Sequence, residues 1–89
     1  MSPDQALLKA CVAVGGKAEL ARQIGVSANY LSQMTRGERP IPVERCAAIE
    51  QAASSSVMRW DLRPLDWWVI WPELRDRADA PAIPEERAA

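Results

Sequence analysis

A chain of 89 residues is long enough for one small core and too short for two, which excludes a multidomain enzyme. Its 11 basic and 12 acidic side chains leave a formal charge of -1, so strong non-specific affinity for nucleic acid is not expected. No apolar run reaches membrane-spanning length, and the start lacks a charged-then-apolar signal pattern, so the expectation is a cytoplasmic protein without a membrane partner.

The first predicted element opens at Ser2-Pro3-Asp4-Gln5. Serine is placed to cap, proline suits the first helical position, and Gln5 is three residues after the cap, able to reach back to it. Leu7, Leu8, Cys11, Val12 and Val14 supply an apolar face, and Gly15-Gly16 ends the helix, so helices are expected near 3–14 and 17–24. Cys11 and Cys46 are the only cysteines, each inside an apolar helical pattern. Without histidine, two thiols make a poor zinc set, so small buried hydrophobes are expected, with no metal and no cofactor. A disulfide would require them to be adjacent and oxidised.

From Lys17 to Arg36, KAELARQIGVSANYLSQMTR, two short helical patterns meet at a Gly-Val-Ser corner. Leu20, Ala21 and Ile24 make the inner face of the first helix; Leu31 and Met34 make that of the second. Gly25 stands where a left-handed residue is needed, and Ser27 can cap the helix from Ala28 to about Arg36. Ser27, Ala28, Asn29, Ser32, Gln33 and Arg36 are then left on the outer face, offering the short polar groups, amides and guanidinium that base edges and phosphates require. The pattern resembles the helix-turn-helix of Cro-like phage repressors through Ala21, Gly25, Leu31 and Met34. The competing reading is a purely structural helix pair.

Arg36-Gly37-Glu38-Arg39-Pro40 is a charged loop after the second helix, where Arg36 and Arg39 are candidate phosphate contacts. The plainer alternative is a solvated loop in which Glu38 pairs with a neighbouring arginine. Pro42 can occupy the first turn of a further helix whose apolar face is Val43, Cys46, Ala47, Ile49 and Ala52. Ser54-Ser55-Ser56 reads as its end, Val57-Met58-Arg59-Trp60 as a brief extended segment, and Pro64 as a point where a last helix can begin.

All four tryptophans fall in WDLRPLDWWVIW, residues 60 to 71. Trp67, Ile70 and Trp71 have the spacing of one helical face with Trp68 turned elsewhere, and Trp71-Pro72 should end the helix. Either the rings complete a core, or Trp68 and Trp71 stay on the surface as a dimer or partner contact. Asp61, Arg63 and Asp66 read as a local ion-pair and cap set, with no nucleophile beside them, so no enzyme is expected.

The helix-turn-helix, the loop GERPIP, the segment ERCAAIE and the ending RWDLRP...W...WPEL together resemble the YdaS type of Cro-like prophage regulator. The likeness spans about residues 10 to 74; Leu65 stands where an acidic residue is expected in that pattern. It implies a small helical DNA-binding protein acting in transcriptional control near a promoter by steric repression, in a group that includes toxins and antitoxins.

The expected fold is an all-α, five-helix, lambda-repressor-like domain over residues 1–75, followed by a flexible acidic tail over 76–89. Residues 9 to 63 carry a local charge of +3 and residues 64 to 89 one of -3, so a basic reading face can coexist with an acidic end. The expected partner is a double-stranded DNA operator. Ser27, Ala28, Asn29, Ser32 and Gln33 would read bases, with Asn29 and Gln33 suited to adenine, while Lys17, Arg36 and Arg39 would hold phosphates. One short helix per monomer calls for a homodimer on half-sites about 34 Å apart. The rival from another class is an antitoxin or phage inhibitor that grips a protein partner through its Trp-rich end.

Overall fold

The computed structural model describes residues 2–83, and within them the chain is all α. Six α-helices follow in order: α1 Pro3–Val14, α2 Lys17–Ile24, α3 Ala28–Thr35, α4 Val43–Ala52, α5 Arg59–Leu62 and α6 Trp67–Ile70, with a 3-10 turn at Pro72–Asp76. The count exceeds the expected five because the Trp-rich segment is cut in two. Of Val57 to Trp60, anticipated as a brief extended segment, Met58 is extended but Arg59 and Trp60 wind into α5, while Pro64 lies in the turn before α6 rather than at its start.

The caps explain where the first helices begin. Gln5 N–H donates to Ser2 Oγ, and Ser2 N–H donates to Gln5 Oε1 at 3.2 Å, so two orphan amides are satisfied reciprocally. At the other end the Gly16 amide bonds back to the Cys11 carbonyl at 2.8 Å, closing the reversed turn that leads into α2. Pro42 takes the capping position of α4, one residue ahead of the first turn.

The helix-turn-helix is formed by α2 and α3. Gly25 has φ 79°, a left-handed value that a Cβ makes costly, and its amide bonds to the Ala21 carbonyl at 2.9 Å. Ser27 Oγ accepts the Tyr30 amide at 3.0 Å, starting α3 in a new direction. Leu20, Ala21, Ile24, Leu31 and Met34 all turn into the core, as their spacing requires. There they meet Leu7, Ala10 and Cys11 of α1 and Cys46 and Ile49 of α4.

Two apolar clusters share the molecule. The larger lies among α1 to α4 and receives Leu62. The smaller contains Trp60, Trp67, Trp68, Leu74 and Ile83. Helix α5 joins them, since Trp60 and Leu62, two positions apart on one turn, enter different clusters; Trp71 packs against both. Trp67 meets Trp60 and Trp68 edge-on, with ring centroids 5.7 and 5.9 Å apart, the arrangement that aromatic quadrupoles favour.

Of the two readings of the Trp-rich end, the core one holds for Trp68, and the surface contact offered for it as the alternative is corrected: it is 7% exposed. Helix α6 is a single turn, and its adjacent Trp67 and Trp68 both go inward because the cluster wraps around that turn. Trp71 is half-buried, with the Arg59 guanidinium 5.4 Å above its ring. Exposed apolar groups at this end are Leu65 and Val69. Of the residues assigned to the tail, Arg77 lies over the Trp60 ring and Ile83 is buried against the Trp cluster, while 84–89 fall outside the described residues. Among the described residues no helix is long and apolar enough to cross a membrane.

Candidate nucleic-acid interface

Because Leu31, Met34 and Thr35 point into the protein, the remaining side chains of α3 face outward. Ser27, Ala28 and Asn29 are exposed; Tyr30, Ser32 and Gln33 are half-exposed. Thr35 is buried, and its hydroxyl donates to the Ser32 carbonyl at 2.8 Å, so it takes no part in the outer face. The Asn29 side chain makes no hydrogen bond among the described residues, leaving its amide free to donate and accept.

Gln33 and Arg39 are brought together. After α3 the chain reverses at Gly37, where φ is 74°, and the Glu38 amide bonds to the Gln33 carbonyl at 2.9 Å. Arg39 is thereby carried back beside the helix. Its Nε donates to Gln33 Oε1 at 2.6 Å, and its guanidinium carbon lies 5.5 Å from the centre of the Tyr30 ring. The Arg39–Tyr30 contact went unread in the sequence, although Tyr30 and Gln33 share a helical face at three-residue spacing.

Arg36 is exposed at the carboxyl end of α3 and pairs with Glu38. The pair holds the Glu38 carboxyl below the usual range and raises the guanidinium further. Arg36 and Glu38 thus form the ion pair that the plainer reading of the loop anticipated. A phosphate at Arg36 would have to compete with that carboxylate, on a surface where such a pair is worth little. Lys17 stands apart at the amino end of α2, exposed, without a hydrogen bond or ion pair among the described residues. On the same helix Arg22 and Gln23 both donate to Glu19, which lowers the Glu19 carboxyl to about 2.

Two arginines that contribute to the basic balance have structural partners. Arg45 Nη1 donates to the Ile24 carbonyl at 3.0 Å, satisfying an orphan acceptor at the end of α2. Arg63 donates to the Ile41 carbonyl at 3.0 Å and pairs with Asp66 at 2.6 Å. Asp61 accepts the Met58 amide at 2.9 Å and caps α5. The expectation of a local ion-pair and cap set for these residues matches that geometry.

Cys11 and Cys46 are both free and buried, in the role of small hydrophobes. Burial raises both thiols, Cys46 to about 11.

The outer face of α3 and the loop from Arg36 to Arg39 can therefore present amides, a hydroxyl and two guanidinium groups from one rigid support. Comparison with known sequences extends the frame. A family profile described as "Bacterial toxin YdaS" matches residues 7–70, from within α1 to the last residue of α6. The chain is also 45% identical over 60 residues to a protein of Escherichia coli (strain K12) named "Putative transcriptional regulator YdaS". That alignment covers 66% of this chain and 61% of the relative, so the chain spans less than two thirds of the relative's length. The profile includes the helix-turn-helix, the loop after it and the Trp-rich helices, and the chain belongs to the YdaS family.

Proposed function

We propose that the chain is a sequence-specific double-stranded DNA-binding regulator of transcription, acting as a Cro-like repressor of prophage type. The observation that carries this reading is the outward polar face of α3: the Asn29 side chain has no hydrogen-bond partner among the described residues, and Ser32 and Gln33 lie on the exposed side of a helix whose other side is locked into the core. The regulator name of the Escherichia coli relative supports it. In this reading Ser27, Ala28, Asn29 and Ser32 face base edges, Lys17 and Arg36 lie toward the backbone, and Gln33 and Arg39, hydrogen-bonded to each other, present one joint group on the same face. Two copies on half-sites about 34 Å apart give the operator a near-palindromic form.

Selection of bound duplexes from a random pool, followed by affinity measurements over a range of salt, tests the proposal. A recovered consensus with two related half-sites and a steep fall in affinity as salt rises is the expected result. Absence of enrichment, or binding indifferent to salt, overturns it. A second reading, action on a protein partner as one half of a toxin–antitoxin pair, is favoured by the family's description as a bacterial toxin. With Trp68 buried, the apolar surface it would use at the Trp-rich end is that of Leu65 and Val69, which are 80% and 71% exposed. Toxicity on expression that survives loss of duplex binding distinguishes it.

A further inference from the structure

Resting on the DNA-binding reading, we propose that Arg39 is a base-reading residue specific for guanine, and that Gln33 is the residue that positions it. The placement comes from three groups of the interface. Arg39 Nε is engaged by Gln33 Oε1, and the guanidinium is laid against the Tyr30 ring. Arginine carries only donors, so the Gln33 atom facing it has to be the amide oxygen.

These contacts use Nε and one face of the guanidinium. Among the described residues the two terminal nitrogens make no hydrogen bond, and their outer edge is the planar fork that matches the O6 and N7 acceptors of guanine. Among the described residues no carboxylate pairs with Arg39, whereas the neighbouring Arg36 is paired with Glu38. Holding the long side chain before DNA arrives lowers the ordering cost that a free arginine would bear on binding. A phosphate contact has no need of that restraint, because a flexible cation meets a phosphate equally well.

The arrangement also changes what Gln33 does. An amide reads adenine by donating to N7 while accepting from the N6 amino group. In Gln33 one of the two lone pairs of the accepting oxygen is taken by Arg39, which turns the amide toward the arginine instead of leaving it free to lie flat against an adenine edge. Gln33 and Arg39 therefore read one base pair together, with the arginine in contact and the glutamine behind it.

The test uses the full chain and a duplex selected by the wild-type protein, with each G·C pair replaced in turn by A·T and each guanine by 7-deazaguanine. For wild type, one G·C pair should carry a preference of roughly ten- to hundredfold, lost on removal of that guanine's N7. Arg39→Ala should bind the G·C and A·T versions equally. Gln33→Ala should lose most of the preference at the same pair, and should change nothing further when Arg39 is already alanine. Both positions are solvent-accessible, and Arg39→Lys, which keeps the charge but not the fork, provides a second variant with the same expected loss. The proposal is overturned if Arg39→Ala weakens both duplexes by one factor and leaves their ratio intact, or if Gln33→Ala relaxes an A·T pair instead. Failure of the wild-type protein to bind any duplex removes the DNA-binding reading itself, and this assignment with it.

Discussion

Arg63 donates from Nη1 to the carbonyl oxygen of Ile41, 22 positions earlier in the chain, at 3.0 Å. The same guanidinium closes a two-point pair with Asp66, at 3.2 Å from Nε and 2.6 Å from the other terminal nitrogen. One side chain thus ties the loop before α4 to the turn between α5 and α6. Removing it leaves the Ile41 carbonyl without its donor and frees the turn that precedes the tryptophans. Arg63→Ala is expected to lower stability by about 1.5 to 3 kcal/mol, the range for hydrogen bonds to charged groups. Arg63→Lys should recover little, since an ammonium cannot serve both partners in one plane. Chemical denaturation of the three proteins checks this; equal midpoints would show that the tie is idle.

Trp68 and Val69 are neighbours with opposite fates, one 7% and the other 71% exposed. Trp68→Ala removes a ring packed edge-on to Trp67 and should cost about 3 to 5 kcal/mol, as buried large-to-small changes do. Val69→Ala should stay within about 0.5 kcal/mol. Thermal unfolding followed by tryptophan fluorescence separates the two. A Trp68→Ala protein that melts like wild type would contradict the role of this ring in the smaller cluster.

What the sequence allowed to be read follows the physics of each signal. Ser2, Gln5, Gly25 and Ser27 act through their own backbone neighbourhood, and the helices they bound, Pro3–Val14 and Lys17–Ile24, fall where their patterns put them. Periodicity likewise placed Leu20, Ile24, Leu31 and Met34 inside. The Trp-rich end was less legible because its helices are single turns, too short for a 3.6-residue period to develop. Adjacent Trp67 and Trp68 are both buried, in a cluster that draws on residues as distant as Leu74 and Ile83, a contribution no local pattern reveals. In the interface, the outer face of α3 was readable, but the partners of its charges were not. Arg45 reaches a carbonyl 21 positions away, and Arg39 folds back six positions onto Gln33; neither contact has a local pattern.

Arg45 leads to a third prediction. Its Nη1 holds the Ile24 carbonyl and lies 3.6 Å from where a Cβ on Gly25 would stand, which is ordinary contact distance. Gly25→Ala should therefore be costly through backbone strain rather than collision, by about 1 to 2 kcal/mol for a left-handed residue. Arg45→Ala should cost about 1 to 3 kcal/mol by leaving the carbonyl unsatisfied. Under the DNA-binding proposal, Arg45→Ala should leave the salt slope of duplex binding unchanged, while Arg36→Ala should reduce it by about one. Titrations at several salt concentrations decide the point, and a reduced slope for Arg45→Ala would place that residue against phosphate.

Cys46 supplies a pH dependence whose sign follows from its burial. The thiol is completely buried, its Sγ lies 3.4 Å from the Pro42 carbonyl oxygen, and desolvation raises it from 9.0 to about 11. Below pH 9 it is neutral in both folded and unfolded chains and adds no pH dependence. Between 9 and about 11 the unfolded thiol ionises while the folded one does not, so stability falls with rising pH until the folded group also titrates. The loss attributable to this group is about 2 to 3 kcal/mol at its full extent. Cys46→Ala removes it, so the variant's stability should decline less steeply than wild type over that interval, whatever the lysines contribute to both. Denaturation midpoints for the pair at pH 8, 9, 10 and 11 (roughly the interval between the two thiol values) provide the measurement. Parallel curves would mean that the thiol titrates alike in both states and that burial leaves its ionisation unopposed.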